Sequence, residues 1–484
     1  MFDVVVIGAG VVGSAAARAL SATKLSVCVL EKEQDVACGA SRANSAIVHA
    51  GFDPEEGSLK ARLNVRGAEL MPALAKELGV PYRNNGSLVL AFDAAQREHL
   101  ERLLQRGIAN GVPNLRILER EELLQLEPNV NSQAAAALYA PSAGIVCPYQ
   151  LTIALMGNAM DNGAVLKCGF CVEQIHYAGG VFEVRGGGET VRARYVVNAA
   201  GAGSGRIAAM VGDTLTVIPK RGEYMLLDKT EGRMLRSTVF QVPSKEGKGV
   251  LVTPTVDGNL LAGPTSQEVF DADNTDTTAE GLAFVRRTAS LSVPSIRWGA
   301  MITSFAGVRA SLKETSDFVI GFSPYNGAFI EAAGIDSPGL SAAPAIAEYI
   351  LGLLAQAGED ISVREDFMPQ RRYMDFRHMS TEEKNAVIAQ DPRYGRIVCR
   401  CEQITEGEIV QAIHSNPPAR SVDAVKRRTR AGMGRCQGAF CGVSAMELIA
   451  RETGIGIEKV TKNGGASEMV IGRVKQGDSE DGTV

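Results

Sequence analysis

The strongest constraint on the fold is a glycine-rich turn near the start of the chain. An apolar run leads into Gly8-x-Gly10-x-x-Gly13, small helix-forming residues follow, and a second apolar run over residues 25–30 ends at Glu31. In a strand–turn–helix unit, such glycines permit a tight turn, close approach of a pyrophosphate and close packing of helix on strand. The helix N-terminus offers N–H groups to phosphates, and the acid can accept a hydrogen bond from a ribose hydroxyl. The pattern therefore predicts a dinucleotide site; a glycine-rich turn in another kind of α/β protein is the alternative.

Length, charge and cysteine usage restrict the class of protein. A chain of 484 residues is too long for a single hydrophobic core, so we expect two or three domains. A formal net charge of −5 argues against generic nucleic-acid binding. The first strand follows Met1 directly and no apolar run suggests a membrane span, so the sequence predicts a cytoplasmic protein without a transmembrane segment. In a cytoplasmic protein, the nine cysteines are interpreted as free thiols, ligands or catalytic groups in preference to disulfides.

The middle of the chain predicts a second, antiparallel sheet. From residue 217 to 264, short apolar runs alternate with Gly and Pro turns, which favours a substrate domain. The preceding strand ends in Ala199-Ala200-Gly201, small residues suited to a sheet edge that a cofactor crosses. Cys168 and Cys171 form a C-x-x-C within a strand pattern, which would place them on opposite faces and favours core packing over a metal site.

The ordered series of motifs resembles the FAD-dependent oxidoreductases of the D-amino-acid-oxidase superfamily. Within that superfamily it is most similar to the L-2-hydroxyglutarate dehydrogenase group and to the anaerobic glycerol-3-phosphate dehydrogenase large subunits. The resemblance covers residues 1 to about 365. Its motifs are the fingerprint, Ala43-Asn44-Ser45 through His49-Ala50-Gly51, residues 196–201, Arg221-Gly222-Glu223-Tyr224, Gly307-Val308-Arg309, and Gly334 through Ser341.

The resemblance implies FAD rather than NAD in the N-terminal site, and a particular domain arrangement. The expected fold is α/β, with a Rossmann-like FAD-binding domain formed by residues 1–85, 145–215 and 300–365. An antiparallel-sheet α+β substrate domain is inserted as residues 86–144 and 216–299. Beyond the fingerprint, the implied cofactor-binding residues are Lys32, Ser41, Asn44, Ser45, Ala200, Gly201, Gly339, Leu340 and Ser341.

A reduced flavin carries negative charge near N1 and C2=O, which a helix N-terminus stabilises. Gly339, Leu340 and Ser341 would present backbone N–H groups there, with a dipole contribution of roughly 0.3–1 kcal/mol. The alternative is an ordinary helix N-cap, a role that Ser341 would also serve.

The substrate end needs a cation for an anionic substrate and a base for the hydroxyl proton. By resemblance Arg309 is the superfamily's substrate-anion arginine, and its forked guanidinium suits a carboxylate or phosphate; a surface arginine is the alternative. His49, Glu223 and Tyr224 are the candidate bases, although a lone histidine is often structural. Glycerol-3-phosphate dehydrogenases usually carry an Arg-Tyr pair soon after the His-x-Gly stretch, whereas this chain has Phe52-Asp53-Pro54. One expected phosphate ligand is therefore missing.

A separate cysteine module follows the flavoprotein pattern. Cys399 and Cys401 form C-x-C, while Cys436 and Cys441 form C-x4-C, all in loops at helix ends, a four-sulfur arrangement that holds zinc or an iron–sulfur cluster. The spacing resembles the bacterioferritin-associated-ferredoxin-like [2Fe-2S] domain over about residues 395–455, which implies a [2Fe-2S] cluster; zinc is the alternative and scattered structural thiols the third reading. We expect a linker at residues 366–390, a small helical domain at 391–460 and a flexible tail at 461–484.

Together these features predict an FAD-dependent dehydrogenase that takes a hydride from a small anionic hydroxy compound. Electrons would leave singly through the cluster to an electron-accepting protein, with peripheral membrane association through that partner allowed. Glycerol 3-phosphate, oxidised to dihydroxyacetone phosphate, is favoured because the cysteine module accompanies that group. L-2-hydroxyglutarate is the close alternative because the residues around His49 and Asp53 look more like that group, and an amine or opine is third. The non-enzyme alternative is a regulatory flavoprotein with structural zinc.

Overall fold

A computed structural model describes residues 1–242, 249–371, 373–470 and 472, and the chain divides into two units, Met1–Arg372 and Tyr373–Val484. The strands are β1 (Phe2–Ile7), β2 (Val27–Glu31), β3 (Ile47–Val48), β4 (Tyr82–Arg83), β5 (Ser87–Ala91), β6 (Arg116–Glu119), β7 (Ala136–Ala140), β8 (Gly144–Val146), β9 (Val165–Cys168), β10 (Val172–Ala178), β11 (Val181–Gly186), β12 (Glu189–Asn198), β13 (Val217–Leu227), β14 (Thr238–Gln241), β15 (Leu251–Pro254), β16 (Leu260–Gly263), β17 (Gln267–Glu268), β18 (Met301–Leu312), β19 (Val319–Ser323), β20 (Asn326–Ala333), β21 (Ile397–Cys399) and β22 (Ile404–Thr405).

The helices connect these strands and cover the sheets. They are α1 (Val11–Ser21), α2 (Leu59–Glu77), α3 (Ala94–Ala109), α4 (Arg120–Leu126), α5 (Pro148–Asp161), α6 (Ser204–Ala209), α7 (Lys229–Gly232), α8 (Ala279–Ser292), α9 (Gly339–Gln356), α10 (Thr381–Gln390), α11 (Glu406–His414), α12 (Val422–Thr429) and α13 (Gly442–Thr453).

The first sheet of the first unit is built on parallel strands buried on both faces. Among the described strands, β9, β2, β1, β12 and β20 run parallel in that order. Strand β11 pairs antiparallel with β12, β10 pairs antiparallel with β11, and β19 pairs antiparallel with β20. Val4 and Val6 point into one core beneath α1, α5 and α9, whereas Val5 and Ile7 point into a second core on the other face. Apolar residues at every position of β1 therefore reflect burial on both sides, as expected for a parallel sheet. The predicted α/β class is confirmed.

The second sheet of this unit is mostly antiparallel and lies where the substrate domain was predicted. Its described strands run in the order β17, β13, β16, β15, β14, β5, β7 and β6, and β18 also pairs with β13. The pairing of β14 with β5 is parallel, the one exception among its described pairings. Because β18 pairs with β13 along residues 217–227, residues 301–312 join this sheet, so the expected boundary at residue 300 is wrong for that strand.

The predicted linker differs from the structure. Arg364 donates to the carbonyl of Asn162 and the Met368 amide donates to the Asn162 side chain, so residues around 364–368 pack within the first unit. The later part of the linker forms α10 in the second unit, where Ser380 and Glu383 make a reciprocal capping box. That pairing satisfies two N–H groups that a helix start otherwise leaves without partners.

The second unit contains the cysteine module in a small helical arrangement. Strands β21 and β22 pair, and α11, α12 and α13 surround a core that includes Ile409, Val425 and Ile449. Thr405 and Glu408 form a reciprocal capping box at the start of α11, and Gly454 ends α13 in the left-handed region at φ +72°. Part of the expected tail is ordered by a bridge between residues 461 and 468, whereas residues 471 and 473–484 lie outside the described residues.

Two further sequence expectations need correction. Helix α9 is 18 residues long and apolar enough, by length and composition, to cross a membrane, although the sequence suggested no such run. Within the described chain, its residues Ile346, Ile350 and Leu354 are fully buried in the core beneath the first sheet, which accounts for their apolarity. Cys168 and Cys171 are exposed rather than packed in the core, because the strand ends at Cys168 and Gly169 turns the chain at φ +72°.

Candidate active site

The dinucleotide fingerprint lies at the carboxyl edge of the first sheet. Strands β1, β2, β12 and β20 all end at this edge, and β1 lies between β2 and β12. The turn after β1 and the turn after β12 therefore leave neighbouring strands and open a crevice between them. In open α/β sheets, such a switch point is where ligands bind.

Local geometry explains why the fingerprint positions are glycines. A Cβ on Gly13 would lie 1.9 Å from the Gly8 carbonyl oxygen, and a Cβ on Gly8 would lie 2.5 Å from the Ala199 carbonyl oxygen. Gly8 also has φ +104°, a conformation that other residues rarely adopt. At Gly10 a Cβ would meet only the Ser41 hydroxyl, at 3.2 Å. The turn is therefore a backbone cradle, and the first turn of α1 carries no acid that would repel a pyrophosphate.

Glu31 ends β2 beside this cradle, as predicted. Its buried carboxylate accepts hydrogen bonds from the Ala9 amide at 2.7 Å and the Glu33 amide at 2.9 Å. Burial raises the pKa of Glu31, although these amides oppose the effect. Lys32 is half-exposed and its ammonium contacts Asp273 at 3.0 Å and Glu33 at 3.5 Å. The role of Lys32 at the cofactor stays a prediction.

The small polar stretch after β2 folds back on the cradle. The Ser41 hydroxyl accepts a hydrogen bond from the Val11 amide at 2.8 Å, at the start of α1. Asn44 stabilises its own turn, because its side chain donates to the Ala40 carbonyl at 3.0 Å and accepts from the Ala46 amide at 2.8 Å. These contacts fix the course of the segment that leads to His49.

Two more predicted cofactor positions lie at the ends of neighbouring elements. Gly201 follows β12 with φ +58° and has open space where a Cβ would be, and Ala200 precedes it. Helix α9 begins at Gly339 after the N-cap Pro338, so the alternative that Ser341 is the N-cap is wrong. The Gly339 amide donates to the Asp336 carbonyl, which makes the amides of Leu340 and Ser341 the better candidates for a flavin contact.

The Ser341 side chain instead holds the His49 segment. Its hydroxyl accepts from the His49 amide at 2.8 Å and donates to the Ile47 carbonyl at 3.3 Å. The fully buried Asn64 donates from its side chain to the His49 carbonyl at 3.1 Å. The half-buried His49 ring lies 5.8 Å from the ring of Phe240. Both backbone polar groups of His49 are thus fixed by buried side chains; Asn64 was missed from the sequence, where nothing distinguishes it.

One face of the β13–β18 pair collects the substrate candidates. Residues directly opposite in an antiparallel pair share a face, and Tyr224 stacks on Phe305 at 5.0 Å and 15°. Two residues further along the same face, Gly222 and Gly307 lie opposite each other. A Cβ on Gly222 would lie 3.0 Å from Nη2 of Arg309. The Arg309 guanidinium therefore lies close above the backbone of Gly222, and Pro264 Cβ and the Thr265 carbonyl lie 2.9 and 3.2 Å from the same Cβ position. The Tyr224 hydroxyl lies 3.4 Å from that of Ser45.

Arg309 has no carboxylate partner among the described residues. It is half-buried, and its one hydrogen bond is a long one, from Nη2 to the Thr265 carbonyl at 3.5 Å. A guanidinium in this position retains donors for a planar or tetrahedral anion.

Glu223 points to the other face of β13. Its carboxylate, fully buried, accepts from the Thr278 amide at 2.8 Å and from the Thr278 hydroxyl at 3.0 Å, and Arg221 lies 3.3 Å away. Thr278 is the N-cap of α8, so Glu223 holds the start of that helix. Alternation along a strand puts Glu223 and Tyr224 on opposite sides. The geometry thus gives Glu223 a structural role and leaves His49 and Tyr224 as base candidates.

The four module cysteines are arranged as two pairs. The sulfurs of the exposed Cys401 and the partly exposed Cys436 lie 3.6 Å apart, and the buried thiols of Cys399 and Cys441 are hydrogen-bonded to each other. A Cβ on Gly434 would lie 2.3 Å from the Cys401 Cβ, so this loop requires glycine. In the part of the chain that the structure describes, no group of three or more His, Cys, Asp or Glu side chains is placed to hold one metal ion. Two pairs suit a two-iron cluster, whose irons each take two sulfurs, better than one zinc ion.

Backbone amides favour the thiolate of one cysteine in each pair, Cys399 and Cys436, whereas the pKa of the partners Cys441 and Cys401 is raised, in part by the hydrogen bond within each pair. A hydrogen bond from Cys441 lowers the pKa of Cys399 to about 6, together with amides that include that of Gly432 and against the effect of burial. Burial raises the pKa of Cys436, but amides of Gly438 and Phe440 outweigh it, so that the pKa is lowered. Because the thiolate is the ligand form, such amides prepare the site for a cluster.

Comparison with known proteins identifies the family. Residues 3–353 match the family described as FAD dependent oxidoreductase, and residues 397–451 match the BFD-like [2Fe-2S] binding domain. The chain belongs to the FAD-dependent oxidoreductase family. It is therefore an enzyme that binds FAD and a [2Fe-2S] cluster, and the predicted family, fold class and cofactors are confirmed. The glycine cradle and the paired cysteines fit these two groups.

Three relatives illustrate the similarity. The glycerol 3-phosphate dehydrogenase of Caloramator mitchellensis is 46% identical over 477 residues, which are 98% of this chain and 99% of that protein. The solved structure of dithionite-reduced L-α-glycerophosphate oxidase from Mycoplasma pneumoniae with FAD bound has a TM-score of 0.72 and 33% identity, and covers 76% of this chain and 98% of its own. The human mitochondrial L-2-hydroxyglutarate dehydrogenase is 32% identical over 287 residues, 56% of this chain and 62% of that protein.

Proposed function

We propose that this FAD-dependent oxidoreductase oxidises glycerol 3-phosphate to dihydroxyacetone phosphate. The observation that carries the proposal is the 46% identity to a glycerol 3-phosphate dehydrogenase along 98% of this chain, cysteine module included. Bound FAD supplies the acceptor for a hydride from the substrate's carbinol carbon, and the [2Fe-2S] cluster supplies a one-electron exit.

Arg309 binds the anionic end of the substrate in this proposal. Its support is the position of the guanidinium over Gly222, on the Tyr224 face of the sheet, without a carboxylate partner in the described chain. An anion seated there would lie beside Tyr224 and Phe305, whose stacked rings exclude water from one side of the site. The bound phosphate would thereby fix the distance of the carbinol from the base.

His49 takes the hydroxyl proton in the proposed mechanism. Its support is the way the segment is held, because Ser341 and Asn64 engage the backbone amide and carbonyl of His49 and fix the backbone from which the ring extends. An imidazole titrates near neutral pH, which suits a general base. Tyr224 is the second candidate, and its contact with the Ser45 hydroxyl supports a role in orienting the substrate.

Electrons leave to a partner protein from the exposed side of the cluster module. Cys401 is exposed and Phe440, next to Cys441, is 85% exposed. Arg400 lies between two cluster ligands, is exposed and has no carboxylate partner among the described residues. An exposed apolar residue and an exposed cation, each next in sequence to a cluster ligand, favour docking of an acidic electron-accepting protein. We propose a cytoplasmic enzyme, with any membrane association supplied by that partner.

An L-2-hydroxy acid is the alternative substrate, because Phe52-Asp53-Pro54 stands where glycerol-3-phosphate dehydrogenases usually carry Arg-Tyr. Side chains at the end of α3 hold this stretch: Arg106 in the last turn donates to the Asp53 carbonyl, and the C-cap residue Asn110 donates to that of Pro54. Anaerobic addition of glycerol 3-phosphate, L-2-hydroxyglutarate or glycerol to the purified holoenzyme decides between them. Bleaching of the flavin absorbance by glycerol 3-phosphate at the lowest concentration supports the proposal. Bleaching by L-2-hydroxyglutarate, with none by glycerol 3-phosphate, contradicts it.

A further inference from the structure

Two cations stand directly opposite each other on the substrate face of the second sheet. Lys220 of β13 is the register partner of Arg309 of β18, and both are half-buried. Directly opposite residues of an antiparallel pair have side chains on the same face, a few ångströms apart at Cβ. Like charges in that relation repel each other, so the arrangement costs stability unless an anion joins them.

No carboxylate neutralises this pair in the described part of the chain. On the far side of β13, Lys220 is the register partner of the exposed Glu268 of β17, yet no ion pair joins them. Glu268 shares the face of Lys220 as its register partner, so the face beside Tyr224 carries two half-buried cations and one exposed carboxylate, a net positive charge.

We propose that Lys220 is a second anion-binding residue, which together with Arg309 selects a phosphate dianion over a carboxylate. The inference rests on the proposed function, because it assigns the substrate's phosphate group to this pair. A phosphate monoester has a second pKa near 6 and is mostly a dianion at neutral pH, so two cations match its charge and three oxygens. A carboxylate carries one charge, which a single arginine satisfies. Lys220 would thereby replace the cation that the chain lacks at Phe52-Asp53-Pro54.

The test compares Lys220→Met with the wild-type holoenzyme on substrates with and without a phosphate. We expect kcat/KM for glycerol 3-phosphate to fall about 10- to 100-fold, as for loss of one charge-assisted hydrogen bond. Oxidation of glycerol, which has no anion, should change less than about twofold. Lys220→Arg keeps the cation and should restore most of the loss. Lys24→Met is the matched control, because Lys24 is exposed before the amino end of β2, away from the site edge.

Two readouts separate ion binding from a structural effect. Inorganic phosphate should raise the Tm of the wild-type holoenzyme and raise that of Lys220→Met by much less. The wild-type kcat/KM should climb as pH rises through about 6, where the phosphate monoester becomes a dianion, and the climb should flatten in the variant. If Lys220→Met does not fold, Lys220→Gln takes its place in both assays.

The outcomes also separate this inference from the proposed function. If the wild type oxidises glycerol 3-phosphate and Lys220→Met keeps its kcat/KM and its phosphate-induced Tm shift, Lys220 is not an anion ligand and the proposed function stands. If the wild type does not oxidise glycerol 3-phosphate, the proposed function is wrong. The phosphate-induced Tm shift still decides whether Lys220 binds an anion, and its absence in the wild type overturns the inference.

Discussion

Replacement of Arg309 by methionine separates substrate binding from stability. Methionine keeps the length and apolar stem of the side chain but removes the guanidinium. In the free enzyme the only hydrogen bond lost is the 3.5 Å contact with the Thr265 carbonyl, and no carboxylate is left without a partner in the described chain. The unfolding free energy should therefore change by less than about 0.5 kcal/mol. FAD should bind normally, because Arg309 is not part of the glycine cradle formed by Gly8, Gly10 and Gly13.

The effect on catalysis should be far larger. Removal of one partner from a desolvated charge pair costs about 2–5 kcal/mol. At about 1.4 kcal/mol for each factor of ten, this is roughly a 30- to 4,000-fold loss in kcat/KM for glycerol 3-phosphate. Steady-state oxidation with an artificial dye measures it, together with FAD content and Tm. Arg62→Met on the exposed side of α2 is the control. A loss below about threefold, with FAD bound, would show that Arg309 does not contact the substrate.

Three further changes test other parts of the enzyme. Gly13→Ala places a methyl group 1.9 Å from the carbonyl oxygen of the first fingerprint glycine, so the turn must move and the purified protein should contain little FAD. Cys436→Ser removes one of the paired sulfurs, so iron content and turnover with the protein acceptor should collapse while flavin bleaching by substrate persists. Burial raises the pKa of Glu331 to about 7, so its native state resists ionisation. As the pH rises from 5 to 8, the free energy of unfolding of the wild type should fall by roughly 2–3 kcal/mol relative to that of Glu331→Gln, as measured by urea titration.

Each of these changes has a control and a contradicting result. Gly352→Ala lies in α9 with nothing within 4 Å of the new methyl group, and should keep FAD; normal FAD content in Gly13→Ala would argue against the cradle. Cys171→Ser alters an exposed thiol outside the module and should keep the cluster; full turnover with the protein acceptor in Cys436→Ser would make the module structural. The Glu331 account fails if wild type and Glu331→Gln keep the same difference in stability from pH 5 to pH 8.

The sequence predicted the parts of the site that depend on local geometry. The fingerprint glycines and the terminal Glu31 follow from short-range rules on turns and strand ends, and these recur in the structure.

Features that depend on distant partners could not be predicted. Alternation along β13 requires Glu223 and Tyr224 to lie on opposite faces of the sheet. Only the position of α8 shows that Glu223 lies on the face that packs against this helix and has a structural role. Asn64 supports His49 across 15 residues, and Ser341 does so across 292. The pairing of Lys220 with Arg309 likewise exists only through strand register.

The central claim is that one chain carries electrons from glycerol 3-phosphate through FAD to the cluster. Anaerobic titration of the purified holoenzyme with glycerol 3-phosphate, followed by flavin absorbance and by electron paramagnetic resonance of the cluster, tests it most directly. Two electrons at FAD and one at the cluster predict full reduction at about 1.5 equivalents of substrate. We expect the flavin to bleach and the signal of a reduced [2Fe-2S] cluster to grow within the same titration. A flavin that bleaches while the cluster stays oxidised at excess substrate would contradict the electron path, and a flavin that stays oxidised would contradict the substrate.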